Sequence, residues 1–269
     1  MSELRYFFST REDGVMNTNS AYYKEGMTKE EIRKEYTNNK IKFGIKEGFD
    51  GRRVLTQIQK NSNNNIAYPD GKSIKVTNEL VEGYEDLYDL DLYADILTMD
   101  SNVKNVVLAY PVADCPVVFV HDNYKNAVGM AHCGVEFINR DLPGQIVDAM
   151  RENYDSKIID LSVYIGPFIH SESYKYDMYP TWATNEYNWR NCIWKERNLY
   201  RIDIETAILR QLHDKGIDEY SIYASAFDTA TNPKFYSNRA SKKDPSKLGR
   251  FYEGCYFTDE SVKSKRYVK

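Results

Sequence analysis

Two apolar segments joined by a short polar one constrain the fold more than any other feature of this chain. The segments are CPVVFVH (115–121) and NAVGMAH (126–132), and DNYK lies between them. Asp, Asn and Lys suit a turn, and four-residue loops are common connections in β-hairpins. The sequence therefore predicts two antiparallel strands of the buried type.

The ends of this hairpin carry a cysteine and a histidine. Closing the loop between His121 and Asn126 makes Cys115 and His132 cross-strand neighbours, with Cβ atoms about 4.5–5.5 Å apart. Such a pair can share a metal ion such as Zn²⁺, with a third ligand and a water. Alternatively, the imidazole can activate the thiol as a nucleophile. A buried thiol opposite a histidine that only packs fits the pairing equally well, and a one-residue slip would separate the two side chains.

The remaining segments alternate between strand and helix patterns. Helices are expected over 27–45, 202–216 and the second half of 135–154, with Thr28 and Asp203 as N-caps and glycines near the ends. Strands are expected at LRYFFSTR, RRVLTQIQ (52–59), IIDLSVYIGP and YSIYASAF, and a loop over 171–200. This mixture predicts the α/β or α+β class, and the lack of repeats and linkers predicts one domain over 1–269.

Composition and charge exclude several classes of function. The net charge is −4 with both signs interspersed, so we expect no nucleic-acid partner, and the basic tail 263–269 is interpreted as a solvated end. No apolar stretch approaches the ~18 residues that cross a bilayer, and no secretory signal begins the chain. The four cysteines lack disulfide spacing, which favours free thiols in a reducing cytoplasm. We expect a monomer or a weak homodimer.

Seven segments, in order along the chain, resemble the motifs of one family. They are FFSTREDGV, VLTQIQ, YADILTM, VADCPVVFV, GMAHCG, YIGP with SYKYD, and NPKFYSNRASKKDPSKLGRF. The chain resembles the laccase-domain family, also described as multicopper polyphenol oxidoreductases, purine nucleoside phosphorylases or peptidoglycan editing factors. One residue that the family has before the proline of VADCPVVFV is missing here.

The resemblance implies a fold, a reaction and a metal. The implied fold is a single mixed-sheet sandwich with helices packed on the sheets and one polar pocket. The implied activity is zinc-dependent phosphorolysis of inosine or adenosine, deamination of adenosine, or both, with nucleoside and phosphate as small-molecule partners. The family holds its metal with a His, Cys, His set, whose members fall on Gln59, Cys115 and His132.

Gln59 is the main departure from the family. An amide oxygen is a poor ligand for Zn²⁺, and a Cys–His pair alone binds metal weakly. Three residues could supply a third ligand: Cys133 through a local bulge, His170 after the segment IGPF from another loop, or Gln59 weakly through its oxygen. Neighbours on a strand face opposite ways, and packing roles are favoured for Cys133 and His170. Zinc remains the expected cofactor, copper is the less favoured metal, and no cofactor is the alternative.

Two further departures lie near the expected pocket. Glu136 stands where the family has arginine, which places an anion near a phosphate site. The family's late Cys-Thr pair is matched here by Asp228 and Thr229.

Other polar residues match family positions close to this pocket. Asp114 would orient a ligand or hold a substrate hydroxyl, or else cap a strand end. Arg239 and Arg250 would bind an anion or form surface ion pairs, and Tyr236 and Ser237 are weaker candidates for substrate binding.

Four hypotheses about function follow from these residues. The leading one is a purine nucleoside enzyme with an altered metal site. The second is a catalytically lapsed binding protein of the same fold. The third is a metal-free hydrolase with Cys115 as nucleophile, His132 as base and Gln59 donating to an oxyanion. The fourth is a copper polyphenol oxidase.

Overall fold

The computed structural model describes residues 2–60, 66–67 and 69–258, so the predicted tail 263–269 lies outside the described residues. The helices are α1 (Lys29–Glu47), α2 (Asn78–Val81), α3 (Val135–Asn139), α4 (Leu142–Tyr154), α5 (Glu186–Trp189) and α6 (Ile204–Asp214). The strands are β1 (Glu3–Phe8), β2 (Val54–Leu55), β3 (Gln57–Ile58), β4 (Ser73–Lys75), β5 (Leu92–Tyr93), β6 (Ile96–Asp100), β7 (Val107–Val112), β8 (Val117–Asp122), β9 (Ala127–His132), β10 (Leu161–Ile165), β11 (Lys175–Tyr176), β12 (Ile193–Glu196), β13 (Leu199–Ile202), β14 (Ile222–Ala224) and β15 (Phe251–Thr258).

Two packed sheets form the centre of the protein. The four-stranded sheet has the order β1-β15-β7-β2, and the six-stranded sheet has the order β14-β10-β8-β9-β6-β4. One apolar cluster fills the space between them. A second lies between the four-stranded sheet and α1, and a third lies between the six-stranded sheet and the helices α4 and α6. The expected mixed-sheet sandwich of the α/β class is confirmed.

The apolar hairpin is buried on both faces. In β8, Val117 and Phe119 face the other sheet, while Val118 and Val120 face the helices. Side chains alternate between faces along a strand, so a strand covered on both sides must be apolar at nearly every position. This burial explains the unbroken apolar runs of β8 and β9.

The predicted helices are confirmed with small shifts in their ends. Thr28 caps α1 through a hydrogen bond from Glu31 N to Thr28 Oγ1 (3.2 Å), and Asp203 caps α6. The helix α1 continues past Gly44 and ends at Gly48, which has a φ of 91°. Pro143 lies in the first turn of α4, where its missing N–H costs nothing. None of the helices in the described ranges is long and apolar enough to cross a membrane.

The predicted register of the hairpin is wrong by two residues. Val117, not Cys115, is paired with His132, and Asp122 is paired with Ala127. The Asp122 carboxylate accepts hydrogen bonds from the N–H groups of Tyr124 (2.9 Å) and Lys125 (2.7 Å). Asp122 therefore ends the strand, and the turn begins one residue later than expected.

Two other expectations about secondary structure need correction. The span 171–200 contains β11, α5, β12 and the start of β13 rather than a loop, because residues 175–202 form a separate three-stranded sheet. The expected strand 52–59 is split into β2 and β3, which pair with different neighbours. Gln59 therefore follows β3, which pairs with β5 and is not part of the four-stranded sheet.

Candidate active site

A tight turn between the two sheets positions Cys115. The chain leaves β7 at Val112 and enters β8 at Val117, so residues 113–116 cross from one sheet to the other. Asp114 takes the left-handed conformation, with a φ of 78°, and its carbonyl accepts a hydrogen bond from Ile169 N (2.9 Å). This turn brings Cys115 to the end of β9.

Cys115 and His132 converge on Gly134 despite the shifted register. A Cβ atom at Gly134 would lie 3.2 Å from Cys115 Sγ and 3.4 Å from His132 Nε2. Cys115 keeps partial exposure, whereas Cys133 is fully buried in the core. The structure thus brings the predicted pair together and gives Cys133 the packing role favoured from the sequence.

Aromatic rings and one amide fix the His132 ring. Tyr110 stacks on it, with ring centroids 4.8 Å apart and planes within 7°, and Phe137 meets it edge-on at 5.5 Å. His132 Nδ1 lies 2.9 Å from Gln59 Oε1. Gln59 Nε2 donates to the carbonyls of Asp95 (3.0 Å) and His132 (3.2 Å). Carbonyls only accept hydrogen bonds, so the NH₂ group of Gln59 faces them, and its carbonyl oxygen accepts a hydrogen bond from the Nδ1–H group of His132.

The environment keeps both members of the pair neutral. Burial, aided by the positive charge of Arg250, lowers the pKa of His132 to about 3. Burial, together with the negative charge of Asp114, raises the pKa of Cys115 to about 12. At neutral pH the site therefore holds an uncharged imidazole beside a protonated thiol.

The donor set does not match a zinc site. Zn²⁺ in enzymes is held by three protein ligands from Cys, His, Asp or Glu. Within 2–60, 66–67 and 69–258, no group of three such side chains is arranged to hold a metal ion. His170 packs its ring on Phe168, with centroids 4.6 Å apart. The residues present do not fit the metal that the resemblance implies.

Asp114 ties three loops together at the site. Its Oδ1 accepts a hydrogen bond from Thr229 Oγ1 (2.8 Å), and its Oδ2 accepts one from Arg239 N (2.6 Å). Lys247 in turn donates to the carbonyls of Ala230 (2.9 Å) and Asn232 (3.0 Å). The carboxylate of Asp114 is therefore engaged with the protein itself.

Two arginines lie in different surroundings around the candidate site. Arg239 lies over the rings of Tyr176 (4.4 Å) and Tyr174 (5.0 Å), and its Nη1 donates to Lys175 O (3.0 Å). Arg250 lies over the ring of Tyr22 (4.9 Å), and its Nη1 donates to the carbonyl of the preceding residue (2.8 Å). Among the described residues, neither guanidinium has a carboxylate partner.

The remaining candidates from the sequence are Tyr236, Ser237 and Glu136. Tyr236 is 7% exposed, and its ring lies against Gly249, next to Arg250. Ser237 is fully buried, and its hydroxyl accepts a hydrogen bond from Ala240 N (3.0 Å). Glu136 lies in the first turn of α3.

Sequence reasoning missed several residues of the site, among them Tyr110, Gly134, Phe137, Tyr174 and Lys247. Tyr110 and Phe137 are spaced like ordinary core residues, so no local signal marks them. Gly134 is different: it ends the segment GMAHCG, and a glycine directly after a candidate site can mark a close approach.

The chain is thus a two-sheet α/β sandwich with a Cys–His pair at the crossing between the sheets. The chain belongs to the family described as multi-copper polyphenol oxidoreductase laccase, whose model matches residues 5–257.

Named relatives and solved structures agree with this membership. The chain is 24% identical to a purine nucleoside phosphorylase of Staphylococcus saprophyticus over 90% of this chain and 89% of that protein. It is 30% identical to the purine nucleoside phosphorylase YlmD of Bacillus subtilis, in a match that spans 56% of this chain and 54% of that protein. The crystal structure of YlmD from Geobacillus stearothermophilus is similar in fold, with a TM-score of 0.72 at 19% identity over 96% and 92% of the two chains.

Proposed function

We propose that this protein cleaves purine nucleosides by phosphorolysis at the site formed by Cys115 and His132. The curated relatives named above are purine nucleoside phosphorylases, which supports this class of reaction at a distant level. In the reaction, a phosphate oxygen forms a bond to C1′ of the ribose while the bond from C1′ to N9 of the purine breaks. The proton of monohydrogen phosphate ends on the released base.

The observation that carries the proposal is a pair of arginines, Arg239 and Arg250, that have no carboxylate partner within the part of the chain that the structure describes. The charge of Arg250 acts on both Cys115 and His132, and the backbone N–H of Arg239 binds Asp114, the residue before Cys115. Each guanidinium donates a hydrogen bond to a backbone carbonyl. A guanidinium has five N–H groups, so both keep donors for a ligand. Guanidinium groups with free donors near a partly buried site favour an anion such as phosphate.

The neutral pair suits recognition of a base better than covalent catalysis. A thiol whose pKa is raised to about 12 is a poor nucleophile at neutral pH, which disfavours the hydrolase hypothesis. His132 Nε2 accepts a hydrogen bond, and the Cys115 thiol donates one. A 6-oxopurine carries an N1–H donor beside an O6 acceptor, which is the complementary pattern. We therefore expect inosine or guanosine to be preferred over adenosine.

The test is the release of base from nucleoside in the presence and absence of phosphate. Purified protein is incubated with inosine, and hypoxanthine is measured by chromatography. We expect release that depends on phosphate. Arg250→Gln should raise the KM for phosphate tenfold or more, because a hydrogen bond to a charged group contributes about 1.5–3 kcal/mol.

Arg33 provides a matched control. It is a half-exposed arginine on α1 that pairs with Asp89, so Arg33→Gln should leave the KM for phosphate unchanged. Release of base without phosphate would replace phosphorolysis with hydrolysis. A folded protein that releases no base from inosine, guanosine or adenosine would refute the proposal.

A further inference from the structure

Gln59 stands at the place of a metal ligand but contacts the wrong side of the histidine for that role. Its Oε1 lies 2.9 Å from His132 Nδ1, whereas His132 Nε2 is the nitrogen that approaches Gly134 and Cys115. The two nitrogens of an imidazole point to different sides of the ring. An ion bound by Nε2 and the Cys115 sulfur would therefore lie across the ring from the Gln59 oxygen.

The orientation of the Gln59 amide is set by the backbone. Its NH₂ group donates to Asp95 O (3.0 Å) and His132 O (3.2 Å), and carbonyls cannot serve as donors. Turning the amide round would place its oxygen against both carbonyls, and each lost hydrogen bond costs about 1–3 kcal/mol. The Asp95 carbonyl would keep only the longer hydrogen bond from Gln57 Nε2 (3.4 Å). Gln59 is 2% exposed, so water does not offer an easy replacement.

We infer that Gln59 is a positioning residue that holds His132 with its proton on Nδ1 and a bare Nε2 facing Cys115, in a centre that works without zinc. The tautomer of a histidine is set by the hydrogen bond that its other nitrogen makes, and here a carbonyl oxygen requires the proton on Nδ1. A neutral histidine side chain exposed to water prefers the proton on Nε2, so the state expected for His132 can be told apart from the ordinary one. The inference concerns the resting protein and does not depend on the substrate.

The first measurement is the nitrogen NMR spectrum of the full chain labelled at its histidines. The chain has four histidines, and a His132→Gln variant assigns the signals of His132. We expect the pattern of an Nδ1–H, Nε2-bare imidazole in the wild-type protein, unchanged by excess Zn²⁺. The Gln59→Met variant keeps the side-chain length and removes both hydrogen-bonding groups, so His132 should move toward the Nε2–H tautomer.

Gln57 supplies the matched control. It is buried to a similar degree, 3% against 2% exposed, and its Nε2 donates to the same Asp95 carbonyl (3.4 Å) without reaching His132. Gln57→Met should leave the tautomer of His132 unchanged. An Nε2–H tautomer in the wild-type protein, or no difference between the two variants, would overturn the assignment.

The second measurement is element analysis of the protein as isolated and after incubation with Zn²⁺ and desalting. We expect well below one zinc per chain in both samples. About one zinc per chain, lost in a Cys115→Ser variant, would overturn the metal-free centre even if the NMR result stood. Neither measurement uses turnover, so both remain informative if the proposed phosphorolysis fails.

Discussion

A single methyl group at Gly134 should separate the function of the site from the stability of the fold. Gly134 has a φ of −66° and a ψ of 170°, which an alanine adopts without strain. The new Cβ would lie 3.2 Å from Cys115 Sγ and 3.4 Å from His132 Nε2. Ordinary contacts of this kind are about 3.5–4.0 Å, so the two side chains must move apart by a few tenths of an ångström.

The magnitudes differ for the two properties. Replacing glycine by alanine in a compatible conformation stabilises a protein by about 0.4–1 kcal/mol through the unfolded state, and the tight contacts offset part of that gain. We therefore expect the free energy of unfolding to change by less than about 1 kcal/mol. Displacement of groups that must meet a substrate can cost up to about 100-fold in rate, so we expect kcat/KM for inosine to fall about 10- to 100-fold.

Two assays check Gly134→Ala. The first is phosphate-dependent release of hypoxanthine. The second is alkylation of thiols in the native protein, which reports on Cys115 because the other three cysteines are fully buried. Both rates should fall. Gly144→Ala is the control, since the nearest atoms to its Cβ would belong to the side chains of Asp141 and Lys215, at 3.0 Å. Unchanged turnover and labelling in Gly134→Ala would refute the convergence of Cys115 and His132 at this point.

Two further predictions concern buried ionisable side chains. Burial raises the pKa of Glu253 well above its ordinary value of 4.5, so its stabilising contribution is complete below about pH 4.5 and is lost as the pH rises. Urea unfolding should show a loss of up to about 1.4 kcal/mol per pH unit that Glu253→Gln removes, and equal slopes in both proteins would contradict this. Lys40, whose side chain is fully buried, pairs with Asp86 at 2.9 Å, so Lys40→Met should lower the free energy of unfolding by about 3 kcal/mol. Adding Asp86→Asn should restore part of that loss. If the losses of the two single variants simply added in the double variant, Lys40 and Asp86 would not interact.

The sequence correctly predicts that Cys115 and His132 lie close together, although the hairpin register on which the prediction depends is wrong by two residues. The hairpin and its polar turn are local features, and the apolar pattern fixes which face each residue takes. A shift of two residues preserves that face, so the two side chains still meet. The exact register depends on the Asp122 side chain binding the N–H groups of the turn, and the composition of the loop fits either arrangement.

Other parts of the structure depend on contacts that the sequence does not show. The three-stranded sheet at 175–202 consists of strands of two to four residues, too short to give a clear period. The role of Gln59 depends on the carbonyl of Asp95, 36 residues away. Sequence comparison identifies Gln59 as a departure from the family, but only the hydrogen bonds show which side of His132 it contacts.

The crossing between the sheets explains how Cys115 is held next to His132. Residues 113–116 connect β7 of one sheet to β8 of the other, so the packing of both sheets determines where Cys115 lies. Asp114 takes a φ of 78° there, a conformation that costs a non-glycine residue about 1–3 kcal/mol. Its hydrogen bonds to Thr229 and Arg239 oppose that cost. The packing of the two sheets and these hydrogen bonds therefore fix the position of Cys115 next to His132, and the positioning role inferred for Gln59 requires this fixed geometry.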